Sequence, residues 1–386
     1  MTVTLPKGFR ASGVACGLKM RSGRRDFAVV VNEGPEFTAA AVTTSNRVFA
    51  APVKWTREAV ADGTLRAVVL NSGGANACTG EAGYADTLET ANLSAAKLGV
   101  AASDVAVCST GLIGELLNMD AIRKGIEDGF SELSADGGDN AAEAIMTTDK
   151  VVKTAGELGD YSIGGMAKGA GMLAPQLATM LVVITTDASL SRGDAEVALA
   201  TAMDQSFNRI DSDGCMSTND TVILMASGAS GVAPDLTDFT AKLTRVAQDL
   251  AVQLIGDGEG SSHDISVEVS GALSQEAGLA VARSVARSNL LKCAVFGNDP
   301  NWGRVLSSLG TVPEDVAPYD ADQVDVTING VTVCRNGGVG DPRELVDMTP
   351  RLCTIAINLK AGEEFVRVLT NDLTYAYVEE NSAYSS

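Results

Sequence analysis

The sequence predicts a mixed α/β protein with a smaller C-terminal domain. Apolar, β-rich runs alternate with segments of helical spacing, a late hairpin signal opens a second cluster of strands, and 386 residues at 45% hydrophobic content can bury a large core. Residues 27–31, 65–70 and 105–108 read as strands, and residues 85–97 as the first long helix. Residues 112–126 carry amphipathic spacing directly after the third strand, and residues 180–184 form an apolar run expected as a core strand. Residues 195–207 and 239–254 continue the helical pattern, the second stopped by Gly256. A helix over 275–290, a hairpin within 324–333 at Asn329-Gly330, and a strand at 353–359 outline the smaller domain, at about 275–386. Periodicity fits a doubly wound sheet and a layered α+β arrangement equally well.

A net charge of −20 argues against a phosphate-backbone partner and predicts no nucleic-acid binding. Residues 1–10 lack the apolar core of a secretory signal, and no apolar run approaches the roughly 20 residues of a membrane helix, so a cytoplasmic protein without a membrane partner is expected. The seven cysteines are scattered, mostly within apolar runs and never as CxxC, a pattern that predicts buried free thiols in place of disulfides or a metal site.

The segment from Lys168 through Gly169, Gly171 and Pro175 to Ala178-Thr179-Met180 delivers a lone hydroxyl to the start of the 180–184 strand. The glycines and Pro175 forbid regular structure before it. Threonine needs a base to become a nucleophile, and a Ser-His-Asp arrangement would rest on His263, the one histidine in the chain. The other route is cleavage of the Ala178-Thr179 bond, which frees an α-amine to serve as base for the Thr179 hydroxyl. An ordinary glycine-rich loop entering a strand accounts for the same residues. A phosphate loop does not, because here the lysine precedes the glycines. The strand ending at Ser109-Thr110-Gly111 followed by helical spacing offers backbone N–H groups converging on one spot, an oxyanion hole at Thr110 and Gly111, or a simple helix cap.

The run Lys168-Gly169-Ala170-Gly171-Met172-Leu173-Ala174-Pro175, continuing to Leu177-Ala178-Thr179-Met180-Leu181, closely resembles the self-cleavage and nucleophile motif of the ornithine acetyltransferase family, the glutamate N-acetyltransferases of arginine biosynthesis. Further matches lie at Cys108 to Gly114, Ala144 to Asp149, Ser217 to Thr221, Asp257 to Gly260, Asp299 to Arg304 and the closing residues from Tyr377. The resemblance implies an α/β-layered sandwich built from two cleavage products, residues 1–178 and 179–386, with two copies of each in a heterotetramer. It implies that Thr179 carries acetyl from N2-acetylornithine to glutamate, that Thr110 and Gly111 form the oxyanion hole, and that Thr147, Lys168, Thr179, Glu259, Asn381 and Ser386 contact small amino-acid substrates. Lys168 would hold the substrate carboxylate. Glu259 would face an amino group or orient the Thr179 amine. No cofactor or metal is implied, acetyl-CoA being a substrate of the bifunctional members; a more distant reading is an N-terminal-nucleophile aminopeptidase or amidase. The chain departs from the family pattern at Ser261-Ser262-His263, where Ala-Thr-Lys is common, and at Lys150-Val151-Val152, where Thr-x-Pro is usual.

Overall fold

A computed structural model describes residues 1–19, 23–174 and 180–383. They form two compact units, one of residues 1–208 and 215–254, the other of residues 209–214 with 255 onward.

The first unit contains, in order, β1 (Phe9–Val14), β2 (Phe27–Asn32), β3 (Thr38–Thr43), α1 (Ala51–Ala59), β4 (Ala67–Asn71), α2 (Gly80–Leu98), β5 (Val105–Ser109), α3 (Met119–Ser131), α4 (Gly138–Ala144), β6 (Lys153–Glu157), β7 (Ile163–Lys168), β8 (Leu181–Thr186), α5 (Arg192–Asp204) and β9 (Thr221–Ala226), and it includes most of α6 (Leu236–Gly256). Two sheets result, a four-stranded one in the order β1-β2-β4-β5 and a five-stranded one in the order β3-β9-β8-β7-β6. The inner strands β2, β8 and β9 are buried along their whole length because both faces are covered. Val30, Val68 and Ala106 of the first sheet meet Met166, Val183 and Ile223 of the second in one buried cluster, closed at one side by α4. On the outer face of the first sheet, Val29, Val69 and Val107 pack against Ala91 and Ala95 of α2 and Ile122 and Ile126 of α3. Leu250 of α6 reaches Gly165 on the outer side of the second sheet. The unit is therefore layered, sheet on sheet with helices outside.

Strand 27–31 and its successors fall within one or two residues of expectation, but the helix predicted over 112–126 does not form at its start. Gly111 and Gly114 take positive φ (134° and 88°), and α3 begins only at Met119, where the Asn118 side chain accepts the Ala121 N–H.

The second unit contains β10 (Asp264–Ala272), α7 (Gln275–Ala286), α8 (Asn289–Phe296), α9 (Trp302–Leu309), β11 (Asp325–Ile328), β12 (Val331–Arg335), β13 (Gly338–Val339), β14 (Leu352–Asn358), β15 (Glu364–Asn371) and α10 (Tyr375–Ala383). Its sheet runs β13-β12-β11-β14-β10-β15, and Val267, Ile355 and Val368 on one face pack under Val281 and Val285 of α7 and Val305 of α9. The expected hairpin is present, Asn329 and Gly330 both adopting positive φ (45° and 86°) between β11 and β12. The helix expected over 275–290 is two: Ser288, in extended conformation, caps α8 through its side chain and ends continuity with α7.

All seven cysteines are free. Four are buried as expected, whereas Cys78, Cys215 and Cys293 are exposed, which corrects the expectation of uniformly buried thiols. Among the described residues no helix is long and apolar enough to cross a membrane.

Candidate functional site

Strand pairing within the first unit decides what surrounds the 169–180 connection. Lys168 ends β7 opposite Leu181, the first residue of β8, and Lys153, the first residue of β6, lies opposite Ala167. Two lysines on neighbouring strands thus arrive at one end of the sheet, both buried. Lys168 Nζ donates to Thr110 Oγ1 at 3.3 Å, which rules out a solvated surface charge. Between the lysines sits Asp149. Its Oδ1 accepts from Lys153 Nζ (2.6 Å) and from the Gly169 N–H (2.7 Å), while its Oδ2 accepts from the Thr147 N–H (2.9 Å). Burial pushes the Asp149 carboxyl up, but Lys168, Lys153 and these hydrogen bonds prevail and hold it at about 2. One carboxylate therefore ties the Thr147 loop to the end of the Lys168 strand. Lys19 is a more distant neighbour whose Nζ donates to the Arg25 carbonyl at 2.7 Å.

Thr110 and Gly111 extend from β5 without a helix behind them. The Thr110 N–H donates to Asn71 O (3.0 Å), so the donor it offers is its hydroxyl, and the helix-start and helix-cap geometries are both excluded. The Gly111 N–H has no hydrogen-bond partner among the described residues. Gly111 is obligatory by geometry: at φ 134° an added Cβ would stand 2.7 Å from the Gly74 amide nitrogen. Asn219 braces this turn, its Nδ2 donating to the Ala75 and Ser109 carbonyls at 2.6 and 2.8 Å.

Thr179, Ala178 and Ser386 lie outside the described residues. The residue after Thr179 is held on both sides: the Met180 N–H donates to Asp220 Oδ1 (3.0 Å), and its carbonyl accepts from the Thr221 N–H (3.2 Å). Burial pushes the Asp220 carboxyl well above its ordinary range, with hydrogen bonds from the Met180 N–H and from Ser217 and the Lys168 charge offsetting it only in part. The sequence reading missed Asp149, Lys153, Asn219 and Asp220 as contributors. Asp149, Asn219 and Asp220 lay inside quoted motifs; Lys153 followed a departure from the pattern and had no signal.

In the second unit Glu259 and Asn381 are brought together, Asn381 Nδ2 donating to Glu259 Oε2 at 3.0 Å. Gly260 permits this, because a Cβ there would fall 2.2 Å from the Tyr377 nitrogen at the start of α10. Thr374 fastens the same junction, donating to the Gly260 carbonyl at 2.6 Å and accepting from the Tyr377 N–H at 3.0 Å. A cleft of about 220 Å³ is lined by Ser212, Glu259, Lys292, Asn371, Asp372 and Tyr377. Val378 is 57% exposed and α10 has no fully buried residue; polar bonds and an edge-on contact of the Tyr375 ring with Phe296 fasten it.

His263 does not form a catalytic triad. Its Nδ1, the nitrogen facing Asp372 Oδ2 at 2.9 Å, also faces Ser262 Oγ, while Nε2 meets the Met348 carbonyl at 3.3 Å. A general base needs its far nitrogen on the nucleophile, and here a backbone carbonyl occupies that place. The Ser261-Ser262-His263 departure is a structural fastening of Asp372. Among the described residues no cluster of three His, Cys, Asp or Glu side chains is arranged to hold a metal ion.

The chain is an acetyltransferase of layered α/β architecture. It is 56% identical to the arginine biosynthesis bifunctional protein ArgJ of Bifidobacterium longum and 55% identical to that of Thermobifida fusca, in each case over 100% of both chains. The solved ornithine acetyltransferase of Mycobacterium tuberculosis, complexed with ornithine, is 50% identical over 47% of this chain and 96% of its own, with a TM-score of 0.43. The ArgJ family matches residues 10–386, and the chain belongs to it.

Proposed function

We propose that this chain is a self-processing enzyme of arginine biosynthesis that moves acetyl from N2-acetylornithine to glutamate through an acetyl-threonine. The Thr179 hydroxyl attacks the acetyl carbonyl carbon while the Thr179 α-amine takes its proton. The negative oxygen of the tetrahedral intermediate is met by the Thr110 hydroxyl and the Gly111 N–H. Collapse breaks the C–N bond, the amine carries the proton to departing ornithine, and the glutamate amine then attacks the ester. The observation that carries this reading is the meeting of Lys168 Nζ with Thr110 Oγ1, which sets a cation suited to a carboxylate beside a donor suited to an oxyanion. Thr147, Glu259, Asn381 and Ser386 complete the substrate contacts in this proposal, and the cytoplasm is its compartment.

Processing at Ala178-Thr179 would leave residues 1–178 and 179–386 joined in one sheet, since β9 and β8 lie between β3 and β7. Two copies of each fragment are proposed to form a heterotetramer. Intact-mass spectrometry tests the scheme: two fragments are expected, with N2-acetylornithine adding one acetyl to 179–386. An active preparation containing only full-length chain would sink it. The word bifunctional in the relatives' names supports a second reading, in which acetyl-CoA also donates the acetyl group. Formation of N-acetylglutamate from acetyl-CoA without N2-acetylornithine decides that point.

A further inference from the structure

We infer that Asp220 is a positioning residue that works as a neutral acid: its carboxyl holds the Met180 N–H in register with the Thr110-Gly111 turn and presents no charge to the Thr179 amine. The inference rests on the proposed role of Thr179 as an N-terminal nucleophile. β8 and β9 are parallel, and the Met180 carbonyl accepts the Thr221 N–H just before their ladder, which opens at Leu181 opposite Thr221. Asp220 Oδ1 takes the other side of the same residue, accepting the Met180 N–H at 3.0 Å. Asn219, the residue before it, holds the Ser109 carbonyl at 2.8 Å. Two consecutive side chains thus fix the strand that follows the nucleophile and the oxyanion turn relative to each other, and a misplacement of about 1 Å between reacting groups costs on the order of a hundredfold in rate. The protonation state follows from the surroundings. Asp220 is fully buried, and its Oδ2 has no hydrogen-bond partner among the described residues. An ionised carboxylate with one oxygen bare in a dry interior is far costlier than the neutral acid. The Lys168 charge at the end of β7 acts on this carboxyl, and together with the Met180 and Ser217 hydrogen bonds it offsets only part of that cost. The Thr179 amine nitrogen is three covalent bonds from the Met180 nitrogen. An anion at Asp220 would hold that amine as ammonium and deny it the role of base.

The test compares Asp220→Ala with Asp220→Asn, with fragments quantified by intact mass and turnover expressed per processed chain. Asp220→Ala should slow fragment formation and lower kcat about hundredfold, with KM within about threefold of wild type. Asp220→Asn keeps the shape and the accepting oxygen without a charge, and it should recover all but about threefold of that kcat. The acid limb of its kcat/KM profile, set by the Thr179 amine, should stay within about half a pH unit of wild type, since no charge has been removed. An infrared difference spectrum, wild type minus Asp220→Asn, should show a protonated carboxyl at neutral pH. An acid limb lowered by about one pH unit or more, or the absence of that band, would mean an ionised Asp220 and overturn the inference. Turnover in Asp220→Asn as slow as in Asp220→Ala would overturn it too, and normal turnover in Asp220→Ala with only a lower melting temperature would make the residue purely structural. Should Asp220→Ala not fold, the Asp220→Asn profile and the infrared band still decide. Wild-type protein that is active with no fragments would instead remove the proposed function beneath the inference.

Discussion

Thr110 shows how one residue divides its donors. Its amide is held by Asn71, so only the hydroxyl is available to a developing charge, and that hydroxyl lies against Lys168. Thr110→Ala should lower kcat by roughly one to three orders of magnitude, with little change in KM and an unchanged melting temperature, as for a donor used in the transition state. A fall in melting temperature at normal turnover would make the residue purely structural. Asp149 carries a pH signature. Its carboxyl is depressed from 3.8 to about 2 in the fold, so its pairing stabilises the protein above pH 3.8 and that contribution disappears as pH falls toward 2. Acid unfolding followed by circular dichroism should be less steep between about pH 4 and 2 for the Asp149→Asn, Lys153→Met double variant than for wild type. Equal slopes would show that the buried pair is not what acid disrupts.

At the level of elements, the sequence made the buried strands legible because their apolar runs are long and their flanks polar: β2, β5 and β14 lie within a residue of expectation. The Asn329-Gly330 turn was equally plain, since few other pairs accept two positive φ angles. Helix starts were not. The spacing over 112–126 began directly after Gly111 and ran through Gly114, whose dihedrals no periodicity reports, and Ser288 looked like any polar helical residue until its side chain was seen capping α8. The site was legible in its motifs, yet the charge balance at Lys168 depends on a strand-to-strand meeting that spacing along one chain cannot show. The terminal helix α10 is held by Thr374, by the Asn381–Glu259 bond and by an edge-on contact of Tyr375 with Phe296, with no fully buried residue. Deleting residues 384–386 should leave self-cleavage intact while raising the KM values for N2-acetylornithine and glutamate about tenfold, roughly 1.4 kcal/mol. Unchanged kinetics in the truncated enzyme would withdraw Asn381 and Ser386 from the proposed site.

For the whole molecule, the proposed processing would change the order of the refolding reaction, because β8 is an interior strand. While the chain is continuous, β8 finds β7 as part of the same molecule, at an effective concentration set by a short connection. If the Ala178-Thr179 bond is cut as proposed, the same pairing becomes an encounter between two solutes, and recovery from denaturant should slow on dilution. The unprocessed Thr179→Ala protein should regain its circular dichroism at a rate independent of concentration, and the processed wild type at a rate that falls with it. Concentration-independent recovery of both would show that the fragments fold before they meet. A cut that leaves every hydrogen bond of the sheet in place would then still make folding a one-way event at cellular dilution, with the persistence of the active form governed by how slowly β8 leaves its neighbours.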